Sequence, residues 1–454
     1  MEYLYAALMA GLCVYTVLRM ARSDWGRFMP LGVLGLFSVG YYVLPIVFQH
    51  AAQVDVLDPQ DVADVLRMDV IFFLFLIAGY EFVIWIASPR EDFVVTFPRF
   101  DMVFMQRWRL IFVVSFAVWV LYFLHGGLTS YSSSNFDAYF LQRSKLAGLL
   151  GALSNYAMGA MATCIAWAGR NGERRAMRWM LAAYAVPVIL LLTTAQRLSV
   201  ITPVFVLVAA LAVFGQQRTS LKFLAIGIGV LLVISPFMVF LREFQVGHAS
   251  GLGREKILVA SEYFNYGGGD LFGRMIDSIM HRADLINVSV YLKDYIDAVG
   301  YATGKYYLSI VESFVPHFFL AHKLYPLSDS GTYWGDLSVI AWTILEGHTV
   351  GSLTAFGAIY AYHEGGWFWV PFNGVLTGVS IAFVYVVLGR GSITARWLYL
   401  FTFVAACVQF VPPSLFQYWV AVSSLVPSLI VLALVHRFVM PVLDARRRRA
   451  VAGR

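Results

Sequence analysis

Arg197 sits in Thr193-Thr-Ala-Gln-Arg-Leu-Ser199, between two apolar runs, and no carboxylate lies near it in the sequence. A guanidinium at a membrane boundary is costly unless it pairs or faces a hydrated cavity. Its planar fork matches phosphate oxygens and keeps its charge at any working pH. A phosphate partner is therefore the expectation, with snorkelling to the headgroups as the plainer alternative. Arg274 and Arg282 lie about two helical turns apart, where they would clamp a diphosphate or hold lipid headgroups. Arg143, Lys305 and Lys323 are further cations that would face the same side, although single lysines near an interface usually snorkel. A group transfer outside the membrane also needs a general base. His317, Glu346, His348, His363 and Glu364 are the choices, and histidine suits neutral pH best. Arg197, Arg282, His348 and Glu364 are thus the catalytic candidates. Arg143, Arg274, Lys305, Lys323 and Tyr360 are the substrate-binding ones, Tyr360 as one of many aromatic rings that would either belt the interface or stack on sugars.

The elements that must position these residues are apolar helices. The chain is 60% hydrophobic and 13% charged, with mean hydropathy +0.71. A soluble domain is nearer half apolar and a quarter charged. Cys13, Cys164 and Cys407 each fall in an apolar run and read as small hydrophobes. No CxxC pair, HExxH, P-loop or GxGxxG is present, so no metal, cofactor or nucleic acid is expected. The first run lacks a small-x-small cleavage site and reads as a retained span.

Runs of apolar residues long enough to span a bilayer fall at 2–20, 27–49, 68–88, 108–124, 147–169, 179–196, 198–215, 223–241, 366–388, 397–412 and 414–436. The expected fold is an all-α polytopic integral membrane protein of about eleven transmembrane helices. It divides into spans one to eight (1–241), a large loop (242–365), spans nine to eleven (366–436) and a basic tail (437–454). Every second connection is basic: Arg19, Arg22 and Arg27; Arg90, Arg99, Arg107 and Arg109; Arg170 to Arg178; Arg218 and Lys222; Arg390 and Arg396; then the tail. Lys/Arg bias predicts that these lie in the cytoplasm, with the N-terminus and the large loop outside and the C-terminus inside. The tail reads as an anchor to anionic lipid. Within the loop, 270–290 has helical periodicity. Phe272, Ile276, Ile279, Ala283, Ile286 and Val290 share one face, and Arg274, Asp277, Ser278, His281, Arg282 and Ser289 share the other. Gly300 and Gly304 mark turns beyond it, and Pro412-Pro413 marks a turn between the last two spans.

Three places in the chain resemble the O-antigen polymerase family, the Wzy-type oligosaccharide repeat-unit polymerases, and more loosely the O-antigen ligases. One is the polar tip at Arg197-Leu-Ser. Another is Arg274…Arg282…Gly304-Lys-Tyr-Tyr…Val315-Pro-His…Lys323-Leu-Tyr-Pro326, with His317 where that family often has arginine. The last is Thr349…Phe356-Gly…Tyr360…Gly365-Gly366. The resemblance implies a GT-C-like membrane glycosyltransferase of the bacterial inner membrane that uses neither metal nor nucleotide sugar. It would polymerise undecaprenyl-diphosphate-linked repeat units into a surface polysaccharide (O-antigen, capsule or exopolysaccharide). Membrane lipids, a chain-length regulator and a flippase are its implied partners. Two other classes stay open. A polyprenyl-phosphate-sugar-dependent GT-C transferase would use an acidic pair among Asp55, Asp58, Asp61 and Asp64. A polysaccharide transporter or flippase would carry charges within its spans, of which Glu81 is an instance.

Overall fold

The computed structural model describes residues 1–22, 25–43, 46, 57–87, 93–124, 145–192, 197–227, 229, 285–315, 337, 340, 357–407, 412–423, 425–434 and 437. These are mostly helical, with no strand among the described residues. Helix α1 runs Glu2–Arg22 and α2 Trp25–Ser38, closed by a π-turn at Val39–Val43. Then follow α3 (Pro59–Ala87), α4 (Pro98–Tyr122), α5 (Lys145–Arg170), α6 (Arg174–Leu192), α7 (Arg197–Val213) and α8 (217–227). The second half holds α9 (Leu285–Val299), α10 (Lys305–Ser313), α11 (Gly357–Gly365), α12 (Trp369–Val384), α13 (Ile393–Cys407), α14 (Leu415–Ser423) and α15 (Leu425–Leu434). Among the described residues four helical stretches are long and apolar enough to cross a membrane: Glu2–Arg22, Pro59–Ala87, Pro98–Tyr122 and Gly357–Gly389. The protein is membrane-embedded. Side chains such as Trp85, Val113 and Ile189 stand exposed on the outside of the bundle, where acyl chains would cover them.

Several helix ends differ from the apolar runs. The third run was expected to start at 68, yet α3 begins at Pro59. The Asp58 carboxylate accepts the Gln60 N–H at 2.8 Å, and proline takes the first helical position. Asp61 and Asp64 therefore ride on a helix rather than in an acidic loop. Helix α4 starts well before the run at 108 and is broken at Arg107 (φ −129°, ψ 18°). The ninth run starts earlier too. Helix α11, a 3-10 turn at Gly366–Phe368 and α12 are stacked end to end. Eight of the nine residues of α11 are buried, although they close the segment expected to be a loop. The periodic stretch 270–290 is described only from 285; there α9 buries Ile286 and Val290 as expected, but also Ser289, and continues to Val299.

Arginines of several basic connections lie together at one end of the described helices. There Arg27 donates to the Ile84 carbonyl, Arg390 to Ala87 and Arg396 to Val213, at 3.3, 3.0 and 3.1 Å. Each acceptor is at or near the end of a helix, where carbonyls lack intrahelical partners and cations are favoured. Arg19 pairs with Glu81 at 2.9 Å, and Arg109 pairs with Glu173. Glu81 is thereby a partnered carboxylate rather than an isolated mid-span charge.

The tightest contact joins α3 to α12, which run parallel. A Cβ on Gly378 would lie 2.0 Å from the Leu76 carbonyl oxygen, one on Gly374 2.6 Å from that of Phe72, and one on Gly79 2.3 Å from that of Val375. Only hydrogen fits at these three points. Replacing Gly378 by alanine should force the two backbones apart and cost about 1–3 kcal/mol, read as a lower melting temperature in detergent. Gly11 on α1 has nothing within 4 Å of its Cβ position, so Gly11→Ala should leave the melting temperature level or raise it. Equal melting of the two variants would remove the glycine contact as the organiser of the bundle.

Candidate functional site

At the end away from the basic connections, α11 meets the turn between α9 and α10. That turn is conformationally demanding: Gly300, Thr303 and Gly304 have φ of 98°, 46° and 88°. Glycine adopts this region freely, whereas a β-branched threonine is strained there. The strain is held by α11. The Ala302 N–H donates to the His363 carbonyl at 2.6 Å and the Thr303 N–H to the Glu364 carbonyl at 3.1 Å. The Glu364 carboxylate then accepts the Gly304 N–H at 2.7 Å and the Tyr306 N–H at 2.8 Å. A carboxylate at the first turn of a helix satisfies N–H groups that have no intrahelical acceptor and complements the helix dipole. Glu364, expected to be catalytic, therefore caps α10 from a distant part of the chain. Both of its oxygens are thereby occupied by main-chain N–H groups.

His363 is fully buried, and its Nδ1 lies 2.8 Å from the Tyr306 hydroxyl. Tyr306 packs edge-on to Tyr360 with centroids 5.3 Å apart, and lies 5.0 Å from the Phe416 ring. Tyr360, expected to bind substrate, is buried inside this cluster and offers no open face to a sugar. Asn373 on α12 donates to the Tyr307 hydroxyl at 3.2 Å and accepts the Leu415 N–H at 3.0 Å. Burial pushes the Tyr307 phenol up to about 12, so it stays a neutral hydroxyl. Ser414 and Gln417 cap α14 reciprocally, at 2.9 and 3.1 Å, in the S-x-x-Q form of a capping box.

The surface of this end carries aromatic rings and a guanidinium. Tyr301 stands edge-on to Tyr362, and Tyr362 to Trp367, with centroids 5.7 and 5.9 Å apart. Tyr301 is 42% exposed and Trp367 36%, and Arg67 from α3 lies 5.2 Å over the Trp367 ring. Tyr362 also donates to Asp297 at 2.6 Å. Beside it Lys293 bonds Asp297 at 3.0 Å. Burial lowers the Lys293 ammonium pKa, but the bond to Asp297, with Asp64 and Asp294 nearby, outweighs burial and raises it. Burial and then Asp61 raise the Asp294 carboxyl. Among the described residues no group of three His, Cys, Asp or Glu is placed to hold a metal ion.

Of the other expected site residues, Lys305 is the first residue of α10, half-buried beside the Glu364 cap. Arg197 heads α7, and its side chain lies outside the described set, as do Arg143, Arg274, Arg282, Lys323 and His348. The structure thus brings Lys305, Tyr360 and Glu364 together. Comparison with protein-family models, curated proteins and solved structures gives no match.

Sequence reasoning passed over Arg67, Asn373 and Gln417. The Ser414-Leu-Phe-Gln417 spacing was a legible signal; the others lie far from their partners in the chain. Removing the Glu364 side chain should free the Gly304 and Tyr306 amides, a loss of about 1–3 kcal/mol. Hydrogen–deuterium exchange across 300–308 should accelerate about tenfold or more in Glu364→Ala, and less in Glu364→Gln, which keeps one acceptor. Unchanged exchange in both variants, with activity lost in both, would return Glu364 to the list of bases.

Proposed function

We propose that the protein is a membrane glycosyltransferase of the bacterial inner membrane. It polymerises undecaprenyl-diphosphate-linked oligosaccharide repeat units into a surface polysaccharide, on the periplasmic side. The observation that carries this reading is the platform of Tyr301, Tyr362 and Trp367 with Arg67 over the ring. It lies at the end opposite the basic connections, on the same segment of chain as Arg274 and Arg282. Aromatic faces and guanidinium groups together suit a sugar chain that ends in phosphate. The polarity of the basic connections supports placing that end outside.

In this reading an acceptor sugar hydroxyl attacks the anomeric carbon of the donor glycan. The new glycosidic C–O bond forms as the C–O bond to the diphosphate breaks, and the diphosphate leaves with the electron pair. Arg197, Arg274 and Arg282 hold that leaving group and meet its growing charge, while Arg143, Lys305 and Lys323 line the approach. The hydroxyl proton passes to a base. With Glu364 turned to the main chain, His348 is the residue for that role. A chain-length regulator and a flippase would act beside it.

One observation favours a transporter of lipid-linked glycan instead: α3 carries two carboxyl residues, Asp69 and Glu81, within its apolar length. Purified protein in proteoliposomes with lipid-linked repeat units separates the two. Polymerase activity predicts a glycan ladder without nucleotide sugar or added metal, and its loss in Arg197→Lys, which keeps charge but not the bidentate fork. Movement of unlengthened substrate across the bilayer would select the transporter. Reporter fusions test the orientation: those after Arg175 should read cytoplasm and those within 290–330 the outside. The reverse pattern would remove the assignment of the site to the periplasm.

A further inference from the structure

Asp69 lies on α3 about 15 Å along the helix from Pro59, at about 1.5 Å per residue. It is 3% exposed, and its Oδ2 has no hydrogen-bond partner among the described residues. The Tyr42 hydroxyl faces it from the π-turn after α2. Tyr42 is itself fully buried, and so is Ser38 one turn earlier, whose hydroxyl also lacks a partner among the described residues. Tyr42 of the π-turn and Asp69 of α3 thus face one another next to Cys13 of α1. The π-turn adds a backbone irregularity of the kind that marks functional sites in helices.

We propose that Asp69 and Tyr42 form a proton-binding site inside the bundle. An ionised carboxylate in such surroundings costs far more than the neutral acid unless a cation meets it, and none faces it among the described residues. On α1, Arg19 is engaged by Glu81, three turns nearer the basic end. On α9, Lys293 and Asp294 face Asp64 and Asp61. On α11, His363 and Glu364 are committed to α10. Helix α12 has no titratable side chain. Asp69 therefore carries a proton that it shares with the Tyr42 oxygen, and releases it to water only when water enters the contact of α1, α2 and α3.

Infrared spectra of the full chain in lipid bilayers read this without any activity assay, so the outcome is separate from that of the proposed function. At neutral pH the native protein should show the carbonyl band of a protonated carboxylic acid. The band should shift slowly in heavy water and be absent from Asp69→Asn. Tyr42→Phe, which keeps the carboxyl and its packing, should move the band by removing the hydroxyl that faces it. This holds the test open should Asp69→Asn fail to fold. Native and Asp69→Asn spectra that coincide at neutral pH would overturn the proposal. So would a band that appears only in acid together with the surface carboxyls, or one indifferent to Tyr42→Phe.

Discussion

Everything at the far end of the bundle depends on how closely α3 and α12 approach. In a membrane, water does not drive helices together, so association rests on packing and on backbone approach where side chains are small. Gly374 and Gly378, one turn apart on α12, and Gly79 on α3 remove every Cβ that would separate the two backbones. The carbonyls of Phe72, Leu76 and Val375 then sit against the opposing helix. Because interiors of this density transmit displacement rather than absorb it, the register of α12 along α3 is set within a fraction of a turn.

That register propagates outward. Helix α11 is stacked on α12 through Gly366, whose φ of 74° redirects the chain, so the position of His363 and Glu364 follows from the position of α12. These two residues hold the strained turn at Thr303 and cap α10. Asn373 meanwhile reaches one turn of α12 sideways to the Leu415 N–H and ties α14 to the same frame. The polar groups here pair both with main-chain N–H groups and with one another's side chains, as buried groups must. The buried layer of the candidate site is consequently scaffold. Above it the described surface carries the exposed rings of Tyr301 and Trp367 with Arg67 over the Trp367 ring.

Much of this was legible in the sequence, though unevenly. Apolar run length revealed the helices, and the alternation of arginines revealed which connections share an end. Helix starts were less legible because charge was taken as evidence against helix. Asp58-Pro59 is a helix start signal, yet Asp61 and Asp64 behind it read as loop. The same bias left His363 and Glu364 outside the ninth run. Asp69, at the start of the third run, drew no reading from the sequence; with α3 beginning at Pro59 it lies in the bundle interior. The Gly374-Val-Leu-Thr-Gly378 spacing is a known sign of close helix contact. What it faces, Gly79 of α3, lies some three hundred residues away, and a single sequence offers no means to pair them.

The placement of Glu364 also narrows where an anion can bind. A helix N-terminus is the most accessible anion site a helical protein owns, and α10 begins with Gly304-Lys305, which by sequence invites a phosphate. In the folded chain that position is taken: an internal carboxylate already accepts the Gly304 and Tyr306 N–H groups. A phosphate brought to the same place would meet a like charge, with the Gly304 and Tyr306 amides already taken. Lys305 is then left with a carboxylate beside it, and any diphosphate must be gripped by guanidinium side chains rather than by main chain. Arginine meets such a requirement and lysine does so poorly, and under the proposed function Arg197, Arg274 and Arg282 are the residues that would take that role.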